Sequence, residues 1–379
     1  MENCLEVTLL GPGYGESVLI NIGDNNWIVI DSCKGNNGEP AAIEYFNDNK
    51  VSLERVILIV ATHWHDDHIW GLSKLVSECK NAMFCTSIAF SKKEFHSFVL
   101  GLSKRFVTSG VRSGVKEINH VFNVLEARRK NKLCTIPDIK YSTADRVIQR
   151  FEASNLSHGQ EVEIWSLSPS DAEIEHFLKD IGTLLPLKEG EVAGVVKEIK
   201  PNQSCTVIQV KFGDHISMLF GADLEERGHS GWSQIHSSSG RPKDKSIIFK
   251  IPHHGSVTGH HDGVWNDMVV NNAVCLLTPY SRGYKLPQDS DLARIVKYSE
   301  NTYVTQSSRV NKGLQKSKLV KSQLDGVAKP IDDAFTSQVG QISVSLCKAE
   351  IGKHSKPESF IDKLSVVYKN GAYKAPITS

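Results

Sequence analysis

The sequence has almost no net charge, no paired cysteines and no long apolar run. Formal net charge is +1, from 44 Lys and Arg against 43 Asp and Glu, so no global electrostatic attraction to nucleic acid is encoded. The eight cysteines (Cys4, Cys33, Cys79, Cys85, Cys134, Cys205, Cys275, Cys347) include no C-x-x-C pair, which argues against a zinc-finger framework. Several, such as Cys205 and Cys275, lie in apolar strand-like runs, and the set reads as reduced, buried thiols of a cytoplasmic protein. Met1 to Glu6 shows neither the basic nor the apolar region of a signal peptide. No apolar stretch approaches membrane-spanning length, so no membrane contact is expected. There is no internal repeat and no low-complexity tract, and nothing points to a particular protein partner.

What is present is concentrated chemistry. His63-Trp64-His65-Asp66-Asp67-His68 places three imidazoles and two carboxylates within six residues. Before it, Val56 to Ala61 is a continuous apolar run of buried-strand length. After it, Ile69 to Val76 carries apolar residues at helical spacing. The cluster therefore sits where a buried strand hands over to a helix, and a stiff strand end holds ligands at fixed angles. His63 and His65, two apart, point the same way, and Asp67 and His68 open the helix. Two groups of nitrogen and oxygen donors so arranged suit a pair of divalent ions about 3.5–4 Å apart.

Around this centre the chain reads as α/β. Leu5–Leu10, Ser17–Ile22 and Trp27–Ile30 are predicted strands, the last ending at Asp31, and a helix is expected over Pro40–Asn49. Residues 91–150 have helical periodicity and a basic excess, and are read as an insertion over the site edge, either a phosphate-attracting surface or a solvated helix face. Aromatics there are too few for a base-stacking platform. The second half returns to strands: Glu161–Leu167, Cys205–Phe212, Ile216–Phe220, Ile247–Ile251 and Val274–Thr278. Helices are expected at Asp171–Asp180 and Asp289–Tyr298. Residues 1–310 are expected to form one domain, and 311–379 a polar C-terminal extension with one strand-like segment at Gln341–Cys347.

The H-x-H-x-D-H pattern behind an apolar strand resembles the metallo-β-lactamase fold, an αββα sandwich used mostly by metal-dependent hydrolases. Pro252-His253-His254-Gly255-Ser256 and Gly13-Tyr14-Gly15-Glu16-Ser17 further resemble the branch of hydrolase domains attached to the competence DNA-uptake channel (ComEC-like), with Glu16 in place of an aspartate. The resemblance implies His63, His65, Asp67 and His68 as metal ligands. It also implies Asp31 as the residue orienting a ligand histidine, Asp223 as a bridging carboxylate, and one of His253 and His254 as a ligand or leaving-group acid. Two positions depart from the pattern. Ser168 and Leu286 stand where histidines are expected, leaving His158, His260 and His261 as conceivable replacements. With fewer imidazoles, manganese or magnesium gains over zinc.

The implied activity is hydrolysis by water activated between two divalent ions (zinc or manganese, with magnesium an option). Asp67 and the 253/254 pair are the catalytic candidates, and Asp66 is an alternative holder of the nucleophile. The expected substrate is a phosphodiester, DNA, RNA or a nucleotide, and Lys285 is a candidate phosphate contact. The alternatives are a lactone, thioester or other small ester on the same centre, and a decayed site kept as a nucleic-acid or partner-binding module.

Overall fold

A computed structural model describes residues 4–91, 93, 95, 97, 113–130, 139–182, 201–228, 230–282, 284–307, 338–353 and 356–377. Two eight-stranded sheets face each other. The first is built from β1 (Cys4–Gly11), β2 (Ser17–Asn21), β3 (Trp27–Ile30), β4 (Val56–Ala61), β5 (Met83–Ser87), β6 (Ile139–Ser142), β14 (Gly340–Cys347) and β15 (Leu364–Lys369), in the order β15-β14-β1-β2-β3-β4-β5-β6. The second uses β7 (Arg146–Phe151), β8 (Val162–Ser166), β9 (Ile208–Phe212), β10 (Ile216–Phe220), β11 (Ser246–Lys250), β12 (Val269–Leu277), β13 (Thr302–Val304) and β16 (Tyr373–Lys374), in the order β16-β13-β12-β11-β10-β9-β8-β7. The helices are α1 (Ala41–Asp48), α2 (Asp66–Ile69), α3 (Leu72–Glu78), α4 (Ser113–Lys130), α5 (Asp171–Gly182), α6 (Trp232–Ser237), α7 (Asp262–Asp267) and α8 (Asp289–Tyr298).

Each sheet changes direction midway. β1 to β3 pair antiparallel and β3 to β6 parallel; β7 to β10 pair antiparallel and β10 to β13 parallel. Parallel strands are covered on both faces and so read as unbroken apolar runs, which is why β4, β10 and β11 were legible. Period-two alternation still sorts their side chains. Leu58 and Val60 enter the core between the sheets with Val7, Ile20, Ile164, Met218 and Ile248. Ile59 and Ala61 face the other way, joining Phe46, Leu72, Val76, Ile118 and Val121 under α1, α3 and α4. Trp64, Phe90 and Phe95 stack in this second core at centroid distances of 4.6 Å (Trp64–Phe95) and 4.5 Å (Phe90–Phe95), so the tryptophan inside the histidine motif is an anchor that fixes the turn.

Two expected boundaries are revised. The basic stretch 91–150 is an insertion only in part. Its helix α4 packs on α3, but its last residues form β6 and β7, which pair with β5 and β8 at the edges of the two sheets. Many of its cations are occupied. Arg128 donates to the carbonyls of Ala82 and Cys79 at 3.2 and 3.0 Å, capping α3; Arg146 donates to Tyr141 O and Arg150 pairs with Glu161 and Glu163. Lys92, Lys104, Arg105, Arg112 and Lys132 lie outside the described residues. The C-terminal part is not an extension of the domain either. β14 pairs with β1 along all eight of its residues, β15 follows it, and β16 closes onto β13. The cysteine expectation also changes: Cys4 is half-buried and Cys347 exposed, while Cys33, Cys79, Cys85, Cys205 and Cys275 are buried; Cys134 lies outside the described residues. Among the described residues no helix is long and apolar enough to cross a membrane.

Ending the chain before Val339 is therefore expected to unfold it. Ile342, Val344 and Leu346 are each at most 1% exposed, and their burial contributes roughly 2 kcal/mol apiece, a sum on the scale of a whole domain's net stability. Loss of the cooperative thermal transition in the truncated chain would verify this, and an unchanged transition would contradict it.

Candidate metal centre

The ligand-type residues all emerge where parallel strands end, the edge at which open α/β sheets carry their sites. Asp31 follows β3, Thr62 and His63 follow β4, Asp223 follows β10, and His253 and His254 follow β11. The backbone is turned back sharply there. Asp31 (φ 60°), Ala222 (φ 45°), His253 (φ 45°) and His254 (φ 51°) all occupy the left-handed region without being glycine, a local cost that clusters at functional sites. Gly15 (φ 100°) lets its turn lie against α2, where a Cβ would meet Asp67 O at 2.7 Å, and the next amide, Glu16 N, donates to that oxygen at 3.0 Å.

Hydrogen bonds assign the imidazole tautomers. Asp31 accepts from the Thr62 amide at 2.8 Å, from the Thr62 hydroxyl at 2.7 Å and from His68 Nδ1 at 2.7 Å. His68 Nε2 therefore presents a lone pair, 3.3 Å from Asp223 Oδ2 and 3.9 Å from Asp67 Oδ2. The Thr62 hydroxyl, already donating to Asp31, accepts from His63 Nδ1 at 3.0 Å, which turns His63 Nε2 toward His65 Nδ1 at 3.1 Å and Asp223 Oδ2 at 4.0 Å. His254 Nδ1 donates to Thr278 O at 3.1 Å, and its Nε2 faces Asp67 and Asp223 at 3.3 and 3.4 Å.

Lone pairs and carboxylate oxygens thus converge on three overlapping groups; Asp31, His63 and His68 form one, with Asp31 spent on hydrogen bonds, and the other two share Asp223. Of those two, one is Asp67, His68, Asp223 and His254; the other is His63, His65 and Asp223; within each the donor atoms lie inside 4.8 Å of one another. His68 Nε2, His254 Nε2 and Asp223 Oδ1 are buried with no hydrogen-bond partner. Buried polar atoms of this kind are costly unless something binds them. The charge count makes the same demand. Among the described residues, Glu16, Asp31, Asp67 and Asp223, each at most 6% exposed, face a single buried ammonium, Lys250. Without a cation, protons must take the role. Burial lowers the His254 imidazole, but the Asp223 and Asp67 carboxylates outweigh it and push it up to about 10. Burial raises Asp223, but His254 and His68 hold it well below the usual carboxylate range. The donor set, three orphaned atoms and excess negative charge fit a pair of divalent cations.

The outer residues sort as follows. His253 stands outside all three donor groups, on the wall of the adjoining cavity, with Nδ1 2.7 Å from Thr258 Oγ1 and Nε2 3.9 Å from Glu225 Oε1. Asp66 accepts from the Gly114 amide and anchors the start of α4. The three replacement histidines are elsewhere: His158 Nε2 donates to Ile22 O at 2.9 Å, His260 pairs with Asp262 at 3.0 Å, and the His261 ring lies tilted against His236 at 5.3 Å. Ser168 donates to Cys205 O at 2.7 Å and accepts from Val207 N at 2.9 Å, a structural role. Leu286 lines the cavity, which holds about 650 Å³.

A family model described as the metallo-beta-lactamase superfamily matches residues 10–89, the segment from the end of β1 through the H-x-H-x-D-H turn to β5. The first of the two facing sheets carries that segment, in the strand order β1-β2-β3-β4-β5. The fold is the metallo-β-lactamase fold. Solved structures that resemble the chain include a metallo-β-lactamase from Cronobacter sakazakii (14% identity, 59% of this chain and 63% of that one, TM-score 0.31). Others are the metallo-β-lactamase fold protein YhfI from Bacillus subtilis (12%, 65% and 70%, TM-score 0.30) and a putative metallo-β-lactamase from Thermotoga maritima (13%, 55% and 68%, TM-score 0.28). The chain spans under two thirds of the Cronobacter protein's length. No curated protein matches it. Within this fold the chain carries its His/Asp cluster at the sheet edge.

Sequence reading missed the support beneath the cluster. Lys250 pairs with Glu16 and donates to Ala222 O at 3.0 Å, and the Thr278 hydroxyl donates to the other Glu16 oxygen. A lysine closing the otherwise apolar run Ser246–Lys250 was the available signal. Cys205, whose Sγ is 3.8 Å from His63 Nδ1 and accepts from Asp223 N at 3.4 Å, had none beyond its apolar run.

Proposed function

We propose that this protein is a metal-dependent hydrolase of phosphodiesters, acting on nucleic acid or nucleotides. The reading rests chiefly on Asp223, whose carboxylate belongs to two of these donor groups at once, as a residue shared by two cations must. Asp67, His68, Asp223 and His254 would hold one ion, and His63, His65 and Asp223 the other. When bound, a pair of divalent ions lowers the pKa of a water and neutralises charge on the attacked group.

The residues do the rest. Asp31 keeps His68 in the tautomer that leaves Nε2 free. His253, on the cavity wall beside the cluster, is placed to donate a proton to the departing oxygen. The opposite wall is aromatic: Tyr14, Tyr280 and the 73% exposed Tyr284 line the cavity. Tyr280 lies 5.3 Å from the His254 ring and 5.5 Å from Tyr14, and the Arg282 guanidinium sits over the Tyr14 ring at 3.6 Å. Tyr280 and Leu286 exchange both backbone hydrogen bonds, which ties these two lining residues together. A flat ring next to a phosphate would find stacking on one side and cations on the other. The resemblance of Pro252–Ser256 and Gly13–Ser17 to the DNA-uptake branch favours the same substrate class, although fold by itself never specifies one.

The test is turnover by the purified chain of an activated aryl phosphodiester, cyclic nucleotides, DNA and RNA with manganese or zinc, and after chelation. Chelator-sensitive cleavage is expected. No turnover of any phosphodiester at full metal occupancy overturns the proposal, and turnover of a lactone or thioester instead moves it to small esters.

Metal affinity should rise with pH. Below about 10 the metal-free His254 carries a proton, and a cation must displace it. Each displaced proton makes affinity rise about tenfold per pH unit. Calorimetric titration with zinc at two pH values checks the slope; a pH-independent affinity would contradict the assignment of His254 as a ligand.

A further inference from the structure

The outer face of the first sheet carries a row of opposed side chains from β1 and β14. Thr8 faces Ser343, Glu6 faces Ser345 and Cys4 faces Cys347. Successive pairs are two residues apart, so all three occupy the same class of position in the antiparallel ladder. At the first of them the side chains touch, with Thr8 Oγ1 and Ser343 Oγ 2.7 Å apart. Opposed residues in such ladders have Cα atoms about 4.5–5.5 Å apart, inside the span of about 4.4–6.8 Å that a disulfide accepts. The Cys4 thiol meets the Cys347 thiol directly: burial, then the charge and the hydrogen bond of Cys347, raise it above its ordinary value. Exposure separates this pair from the others. Cys33, Cys79, Cys85, Cys205 and Cys275 are buried, Cys4 is half-buried and Cys347 is exposed. Among the described cysteines, the two that solvent reaches are the two that face each other.

We propose that Cys4 and Cys347 are a site of oxidative modification, forming a cross-strand disulfide when the protein meets a peroxide. The Cys347 sulfur, the more exposed, attacks one peroxide oxygen, giving Cys347–SOH and releasing the other oxygen as water. The Cys4 sulfur then displaces the hydroxyl of Cys347–SOH, and a second water leaves with the Cys4 proton. Two electrons pass from the two sulfurs to the peroxide, and a dithiol reductant reverses the change. The bond ties the first strand to β14 and closes a loop from residue 4 to residue 347. A crosslink over so long a loop restricts the unfolded chain and stabilises the fold. It holds shut the β1–β14 seam, the one junction that joins the C-terminal strands to the first sheet.

The experiment uses the full chain, reduced and then treated with hydrogen peroxide, alkylated with a maleimide and mapped by peptide mass. Expected is the loss of two alkylatable thiols, a linked peptide pair containing Cys4 and Cys347, reversal by dithiothreitol, and a melting temperature higher by several degrees in the oxidised form. Cys347→Ser and Cys4→Ser should each abolish the linked pair and the thermal shift. Full alkylation of both cysteines after oxidation overturns the proposal, as does their conversion to sulfinic acid or a link between two chains. Because the readouts are covalent mass and melting temperature, the outcome does not depend on which substrate the metal centre takes.

Discussion

Asp223→Ala is expected to leave a folded protein with at least about a thousandfold lower kcat. Asp223 belongs to both proposed cation groups, and its Oδ2 lies 3.3 Å from His68 Nε2, 3.4 Å from His254 Nε2 and 4.0 Å from His63 Nε2. Removing it deprives both cation positions at once. Lewis-acid stabilisation is worth several kcal/mol, and about 4 kcal/mol corresponds to three powers of ten in rate. Metal content measured on the same preparation should fall with activity. The metal-free variant should still melt cooperatively, since Asp223 follows a strand end and belongs to neither hydrophobic core. Undiminished activity with the carboxylate gone would sink the two-cation reading, whatever the substrate.

Among single substitutions, Lys250→Met carries the largest expected stability effect. The ammonium is 1% exposed, pairs with Glu16 and donates to Ala222 O at 3.0 Å. Burial lowers its pKa, but Glu16 and Asp223 reverse the sign and keep it charged. Removing one partner of a buried pair strands the other, at a cost of about 3–5 kcal/mol, or roughly 4–6 °C in melting temperature for a chain of this length. Methionine keeps the length of the stem, so the loss is electrostatic rather than a cavity. Adding Glu16→Gln should recover part of the loss, because an amide is cheaper to bury unpaired than a carboxylate. Equal melting of the single variant and the parent would mean that the pair contributes nothing. The consequence for the metal centre is indirect. Lys250 grips the Ala222 carbonyl one residue before Asp223, and Glu16 Oε1 lies 3.7 Å from His68 Nδ1, so the pair would position two of the proposed ligand residues from beneath the cluster.

These two residues mark how far the chain could be read. Asp223 was legible because it ends an apolar strand in a recognisable order; Lys250 was not, because nothing local says which carboxylate a buried lysine will meet. Likewise Asp289–Tyr298 was found to the residue as a helix, since its apolar period and its Gln288–Asp291 capping box are local. The membership of Gly340–Cys347 in the first sheet was not, since a strand's partner more than three hundred positions away leaves no mark on its own pattern. The same holds for the 253/254 pair. Its presence at a strand end was readable, but His254 joins the cluster and His253 the wall only because both adopt left-handed backbone that swings their rings apart.

Periodicity and strand-end chemistry, properties of neighbours along the chain, placed the strands and the H-x-H-x-D-H cluster, and the resemblance carried by that motif implied the sandwich. Tertiary structure alone decided which distant groups meet: Asp223 between two donor sets, Lys250 under Glu16, the C-terminal strands along β1, and Cys4 opposite Cys347. The physical reason is that short-range geometry is written in residue spacing, whereas long-range contact is selected by packing and charge balance over the whole fold.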